Sequence, residues 1–506
     1  MDYQRRWTRE MSKLFRAVLS FPVMLVSIVA FWVFIAAGFS VWDADIWWHL
    51  RNAEYLFATG STPHFDFYSY TTNSHPWMNH EWLAEIPYYL GWRAAGLLGI
   101  YLTFLTMLVL LQLGIFYLAY KRTGNLKGVF LVSCFAVFLT KVSYGPRTIL
   151  FGYAFLIILL LLLGRYRETG KAPLWILPPL FCLWINTHGS WLLGLIMLGI
   201  YIVSGLVEGR WGRVDAVKWT PQQLKHLLAV TGASVAALFI NPFTYRLVIY
   251  PFDLAFRQKL NIAYIDEWAS VDFHDARGKV VLILLAAVLL GLLLSRCRWK
   301  LEEVLLGAFA LYSGLMHIRF LFLAAILLAP MLTRLLDFIP PYRPEIDKPL
   351  LNAIVIAVLL VIAVRHVPTR SDLEDVVAKR FPVHALTFIK SHGLPGNVFN
   401  RYKWGGYLIF FCRDVKPFID GRTDIFEYTG VLKDYLDAEQ LKESLRIMDK
   451  YRIRYVLLPP NDPLAYLLKN NTGWKVIFTD DVTLIFERAN LPQAAPAVAL
   501  PAGGAP

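Results

Sequence analysis

The sequence predicts a polytopic α-helical membrane protein of about eleven spans, followed by a C-terminal extracytoplasmic α/β domain. Three observations predict it. Of 506 residues, 57% are hydrophobic and 17% charged, far too apolar for a soluble chain of ordinary composition. The apolar residues gather into runs long enough to cross a hydrocarbon core of about 30 Å, which takes roughly 17 to 25 residues of helix. After Arg365 these runs stop, and short helix-like pieces begin to alternate with β-like ones.

In order, the candidate spans fall near 14–38, 96–120, 128–145, 148–164, 173–187, 190–207, 226–245, 279–295, 301–317, 319–336 and 350–366. The first apolar run has a basic flank but no small-residue cleavage site, so it reads as an anchor. A long loop, 39–95, separates it from the second. Lys and Arg set the orientation. Arg5, Arg6, Arg9, Lys13 and Arg16 place the N-terminus in the cytoplasm, and alternation then puts Lys121, Arg122 and Lys127, Arg165, Arg167 and Lys171, Arg210, Arg213, Lys218 and Lys225, Arg296, Arg298 and Lys300, and Arg334, Arg343 and Lys348 on the same side. The net charge of +13 is thus accounted for by topology, and a nucleic-acid partner is not expected. Four cysteines, at 134, 182, 297 and 412, fit neither a zinc site nor a disulfide framework.

The membrane region should therefore occupy 1–366, and a domain of alternating elements 369–490. Its helix-like pieces are Val383–Ser391 and Asp437–Tyr451; its β-like runs are Asn397–Phe399, Lys416–Ile419, Tyr455–Leu458, Lys475–Phe478 and Thr483–Phe486. The Ala/Pro/Gly-rich stretch 491–506 has no pattern and reads as a disordered tail. No GxGxxG or GxxxxGK[ST] loop occurs, which argues against a nucleotide-driven motor.

With that topology, the unusual polar residues fall at the outer ends of spans, where ionisable groups usually face a cavity or one another. Asp43 and Asp45 directly follow the first span; such a pair can bind a divalent cation or supply a general base, though it also suits a solvated turn. His49 and Arg51 are suited to hold an anionic phosphate or orient a carboxylate. His80 and Glu81 open an amphipathic piece with Glu85, either completing a metal or phosphate site or forming the wet face of an interfacial helix. HExxH is absent. His188 sits in a polar break, Asn186–Ser190, best read as a tight outer turn. Arg147, His317 and Arg319 suit a lipid-linked phosphate, with snorkelling to headgroups as the plain alternative. In the C-terminal domain, Asp420–Asp424 is a sugar or acceptor contact or, equally, an Asp-Gly turn with an Arg422–Asp424 salt bridge.

A cytoplasmic N-terminus, one span, a long outer loop opening on WDADIWWHLR, many further spans and an outer α/β domain together resemble the GT-C superfamily of integral-membrane glycosyltransferases, in particular the bacterial branch related to protein O-mannosyltransferases and the lipid A aminoarabinose transferase. The resemblance implies inverting transfer from a polyprenyl-phosphate-linked sugar to a glycan, lipid or protein acceptor on the outer face of the cytoplasmic membrane. It puts the base on Asp45 or Asp43. The chain departs from the aminoarabinose branch at Asn79-His80-Glu81-Trp82, where that branch carries a Lys-Pro-Pro-Leu-type motif, so the phosphate-binding lysine is unmatched. A divalent cation, if used, would fall to Asp43, Asp45 and Glu81. Chemically, the lipid phosphate leaves as a stable anion and needs charge stabilisation, from Arg147 and Arg319, while the acceptor hydroxyl needs a base, for which Asp45 is the first choice. A lipid or glycan transporter and a catalytically silent scaffold remain as other readings.

Overall fold

The computed structural model describes residues 17–394 and 396–489. The basic N-terminal cluster from Arg5 to Arg16 and the 491–506 tail lie outside them. The chain divides into two compact units: Asn79–Leu373 joins the stretch that ends at Asp43, and Ala44–Met78 joins the part that begins at Glu374. The first outer loop, expected as one piece, is thus shared between both.

The first unit is a helical bundle. Five of its described helices are long and apolar enough to cross a membrane: Leu97–Thr123, Leu126–Ser143, Ile149–Thr169, Ala276–Leu294 and Ile318–Leu335. Pro349–Arg365 and Arg370–Ala378, bent by 58° at their junction, make a sixth if taken as one span. The expected count of about eleven is not confirmed, because several apolar runs yield shorter helices. Leu301–Met316 has 16 residues, about 24 Å at 1.5 Å per residue. The apolar run 173–207 is cut by its Asn186–Ser190 turn into Leu174–Ile185 and Trp191–Ser204.

Close packing here uses small residues. The chain reverses at Gly96, whose φ of +59° is one that other residues resist, and the two helices it joins meet at Gly91 and Gly99. A Cβ on Gly99 would lie 1.8 Å from the Gly91 carbonyl oxygen, so any larger residue forces them apart. Deeper in the bundle, the buried Gln112 amide donates to Thr140 at 2.6 Å, a polar bond between two helices. One end of the bundle is closed by ion pairs: Arg122 with Glu168 at 3.0 Å, Arg167 with Glu302 at 3.0 Å and Arg334 with Glu303 at 2.7 Å. A small sheet sits there too, Gly209–Trp211 pairing antiparallel with Val214–Ala216, which pairs parallel with Trp299–Lys300.

The second unit is α/β. Asn397–Asn400 runs parallel to Ile453–Leu458; Leu484–Arg488 lies antiparallel to that central strand and to the edge strand Trp474–Thr479. Two expectations need correction. Lys416–Ile419 forms no strand: Pro417 lacks a donor, and the Asn400 side chain takes the place of a neighbouring strand, accepting from Phe418 N and donating to Ile419 O, each at 2.8 Å. Asp437–Tyr451 is two helices, Val431–Glu439 and Ser444–Lys450, interrupted where Leu441 adopts a φ of +59°. Ile46–Thr59 belongs to this unit because its apolar face is aromatic: the Trp47 indole meets Tyr407 edge-on at 5.1 Å and Phe381 at 5.6 Å.

Candidate active site

In the helical unit, the Leu126–Thr140 helix ends in a short turn, Lys141–Ser143, and the chain passes Gly145 and Pro146 before the Ile149–Thr169 helix begins. That connection presents Arg147. Its Nε donates to Asp43 Oδ2 at 2.8 Å and its Nη1 lies 2.5 Å from Glu267 Oε1, while Tyr88 donates to the Arg147 carbonyl at 3.1 Å and fixes the turn. Asp43 and Arg147 line a cavity of about 260 Å³ with Trp42, Tyr144, Lys141 and Arg277 among its other walls. Three basic residues and one acidic residue therefore line it. Such a wall attracts an anion, and the exposed indole of Trp42 suits a membrane-water interface.

A second polar cluster of this unit is built on the opening of the Trp82–Ala95 helix. Glu81 Oε1 faces two imidazoles, His188 Nε2 at 3.3 Å and His80 Nε2 at 3.6 Å. His188 Nδ1 accepts from Ser190 N at 3.0 Å, which leaves its proton on Nε2, toward Glu81. The His80 ring packs on Tyr250 at 4.5 Å. Asn79 donates to Glu85 at 2.9 Å, and Trp82 donates to Asn186 at 2.9 Å, so the helix start and the polar break are locked together. Arg319 stacks on Trp268 at 4.4 Å, and His317 meets the Trp268 carbonyl at 2.6 Å. Arg319 Nε is buried and has no hydrogen-bond partner among the described residues. Trp268 is the neighbour of Glu267 in sequence, so Arg147 and Arg319 are both anchored on one short turn.

The other predicted residues fall in the α/β unit. Asp45 precedes the Ile46–Thr59 helix, accepts from Trp48 Nε1 at 3.0 Å and is so close to Gly421 that a Cβ there would lie 1.7 Å from its Oδ1. His49 is buried against Trp48, with ring centroids 3.6 Å apart. Arg51 pairs with Glu54, which also binds Arg413 at 2.7 Å. Arg422 pairs with Asp420 at 2.7 Å and with Asp66 at 2.8 Å, the latter outside the Asp420–Asp424 stretch to which its salt bridge was assigned. These three side chains are at most 1% exposed. Tyr68 and Trp77 cover the guanidinium at 5.0 and 4.9 Å. Burial works against the charge of both partners, but the opposite charges beside them prevail: the Asp66 carboxyl, also bonded by Ser69 and Thr72, is held below the ordinary range, and Arg422 is held above its own.

Among the described residues no three His, Cys, Asp or Glu side chains are grouped to hold a metal ion. Asp43 and Glu81 belong to the first unit and Asp45 to the second. Lys141 was not singled out from sequence, and Glu267 and Arg277 stood out only as part of the polar loop Asp253–Arg277. Lys141 falls near the outer end of the candidate span 128–145 and Arg277 closes that loop just before the candidate span 279–295, so nearness to a span end was the available signal.

No protein-family model and no curated protein matches the sequence. Solved structures match by fold. Archaeoglobus fulgidus oligosaccharyltransferase, tethered with an acceptor peptide containing the NVT sequon, superposes with a TM-score of 0.53 at 12% identity over 92% of this chain and 74% of that one. Its apo form gives 0.53 at 11% identity over 87% and 69%. ArnT from Cupriavidus metallidurans bound to undecaprenyl phosphate gives 0.49 at 13% identity over 92% and 97%. These neighbours are GT-C superfamily glycosyltransferases.

Proposed function

From the GT-C fold that this chain shares with the Archaeoglobus oligosaccharyltransferase, we propose that it is a membrane glycosyltransferase that moves a sugar from a polyprenyl-phosphate-linked donor to an acceptor outside the cytoplasmic membrane. The observation that carries this reading is the cavity lined by Asp43, Lys141, Arg147 and Arg277. A phosphate leaving group needs cations rather than an acid, and preorganised cations cost no reorganisation as its charge develops. The acceptor hydroxyl oxygen bonds to the anomeric carbon, the bond from that carbon to the phosphate oxygen breaks with its electron pair going to the phosphate, and the hydroxyl proton passes to a carboxylate. This attack from the opposite face inverts the configuration at that carbon.

The carboxylate best placed for that proton is Asp43, not the first choice Asp45. Asp43 lines the cavity and is oriented by Arg147, whereas the Asp45 side chain, just before the Ile46–Thr59 helix, accepts from Trp48. Lys141, Arg147 and Arg277 neutralise the donor phosphate. Arg319, stacked on the turn that holds Glu267, supports that array, and the Glu81 cluster with His80 and His188 is a candidate acceptor contact.

The deciding experiment is transfer of labelled sugar from a polyprenyl-phosphate donor pool in membranes, comparing wild type with Asp43→Asn and Asp45→Asn, each checked for folding. Asp43→Asn is expected to be folded and inactive, with Asp45→Asn retaining transfer. A folded but inactive Asp45→Asn beside an active Asp43→Asn would return the base to Asp45. Full activity in both variants, or no transfer that depends on the protein, would overturn the enzymatic reading.

A further inference from the structure

The Ile149–Thr169 helix begins two residues after Arg147 and runs for 21 residues, about 30 Å, to the opposite end of the bundle. At that far end most cations are neutralised internally. Arg167 and Glu302 are 4% and 3% exposed, Arg298 pairs with Asp215 at 2.6 Å, and Arg334 pairs with Glu303. What remains is a set that has no internal use. Arg165, Lys171, Lys218, Lys225 and Arg296 are exposed and form no ion pair among the described residues.

These cations are interleaved with apolar side chains that face outward. Trp175 is 71% exposed, Trp211 54% and Val217 56%, with Leu206 beside them in sequence terms on the same connection. The pieces are held near one another by specific contacts. Tyr166 donates to the Gln223 carbonyl at 3.0 Å, and a Cβ on Gly170, next to Lys171, would lie 2.6 Å from Gln223 Nε2. Trp219, next to Lys218, is pinned by its N to Gly205 O at 2.8 Å and by its indole to Tyr201 O at 2.9 Å. The turn Leu174–Ile176 packs on the helix that carries Lys225.

The hairpin itself is too short to stand alone, with three residues in each strand. It is fixed by the pairing of Val214 with Trp299 and by Arg213 donating to Leu292 O at 3.0 Å. A held platform with indoles and unpaired cations at a span end has the chemistry of the headgroup layer, where amphipathic rings sit at the interface and basic residues meet anionic lipid. Nucleic acid or an acidic protein would match the charge but not the outward indoles and valine at the level where the spans end.

We propose that this end of the bundle is a binding surface for anionic phospholipid headgroups, with Lys171, Lys218 and Lys225 contacting phosphate and Trp175 and Trp211 seated between the headgroups.

The test uses the full chain reconstituted in phosphatidylcholine bilayers with a trace of spin-labelled phosphatidylglycerol or spin-labelled phosphatidylcholine. The motionally restricted fraction is then compared. Wild type is expected to favour phosphatidylglycerol several-fold, with the preference falling as salt is raised. The combined Lys171→Gln, Lys218→Gln, Lys225→Gln variant is expected to bring the two lipids close to parity. Since all three side chains are exposed and in no ion pair, its melting should match wild type. Single Lys225→Gln, expected to lose part of the preference, keeps the test decisive if the combined variant folds poorly. Equal restriction of both lipids in wild type, or a preference that neither variant lowers, overturns the proposal.

Discussion

Two arginines in this protein are each gripped by two carboxylates, and they differ in one respect that sets their roles. Arg422 lies between Asp66 and Asp420 with all three side chains at most 1% exposed, whereas Arg147 lies between Asp43 and Glu267 with its side chain 30% exposed and a cavity in front of it. Around Arg422 every guanidinium nitrogen is bonded: Nε and Nη2 fork onto Asp420, Nη1 takes Asp66, and Asp66 is further bonded by Ser69, Thr72 and the Tyr68 amide. A saturated, dry array of this kind is a staple, because each ion would be costly without the others. The Arg147 array keeps contact with an open cavity, so its charge can act on something that enters. The same pairing chemistry gives structure where water is excluded and a site where it is not.

The largest effect that would break this comparison is at the staple. Arg422→Ala leaves Asp66 and Asp420 buried without their cation, and truncating one partner of a buried pair costs about 3–5 kcal/mol. The expected result is unfolding or proteolysis of the unit formed by 44–78 and the chain after Glu374, read by limited proteolysis and chemical denaturation. A variant that melts like wild type would mean that Arg422 is not a staple.

The next effect is kinetic. Arg147→Ala removes a half-exposed cation, so the fold should survive while sugar transfer falls by about 10²–10³-fold, the range seen when one preorganised charge-stabilising donor is lost. Arg147→Lys keeps the charge without the fork that spans Asp43 and Glu267, and should recover only part of the loss. If Arg147→Ala instead unfolds the protein with undiminished specific activity in the folded fraction, the two arginines have the same role.

Acid separates the arrays further. The Asp66 carboxyl is held below its ordinary value in the folded chain, so the folded state binds its proton less readily than the unfolded state does. Its contribution to stability is therefore fully present above the unfolded value of about 3.9 and is lost as pH falls through the lower folded value. Denaturation of the α/β unit should weaken as pH rises through that window and then level off. Asp66→Asn should be less stable near neutrality and should flatten that part of the profile.

How much of this was legible in the sequence depends on the range of the contact. Asp43 and Arg147 stood out because a charge at the end of an apolar run is expensive unless it has a use, and the resemblance to GT-C enzymes was drawn from the expected order of anchor, acidic loop and spans. Arg422 was visible as a residue of a turn, but its partner Asp66 lies 356 positions away and carries no local sign of the pairing. The strand expected at Lys416–Ile419 failed for a similar reason: periodicity marks an extended chain, yet here one asparagine side chain supplies the bonds that a strand would. Span length was overestimated where apolar composition continues past a helix end, as in the expected span 226–245, whose helix stops at Ala237 although Leu238, Phe239 and Ile240 follow.

The smallest expected effect tests which end of the Arg147 array matters. Glu267→Gln keeps a carbonyl oxygen to accept from Arg147 but removes a charge that is 34% exposed, and exposed pairs of this kind are worth about 0–1 kcal/mol. Transfer should change by no more than a few-fold, and in the favourable direction for donor binding, because the cation is then less neutralised. The KM for donor should fall slightly while kcat holds. A loss as deep as that of Asp43→Asn would mean that Glu267 takes part in the chemistry itself, and that the cavity is served by two working carboxylates rather than one carboxylate and one positioning partner.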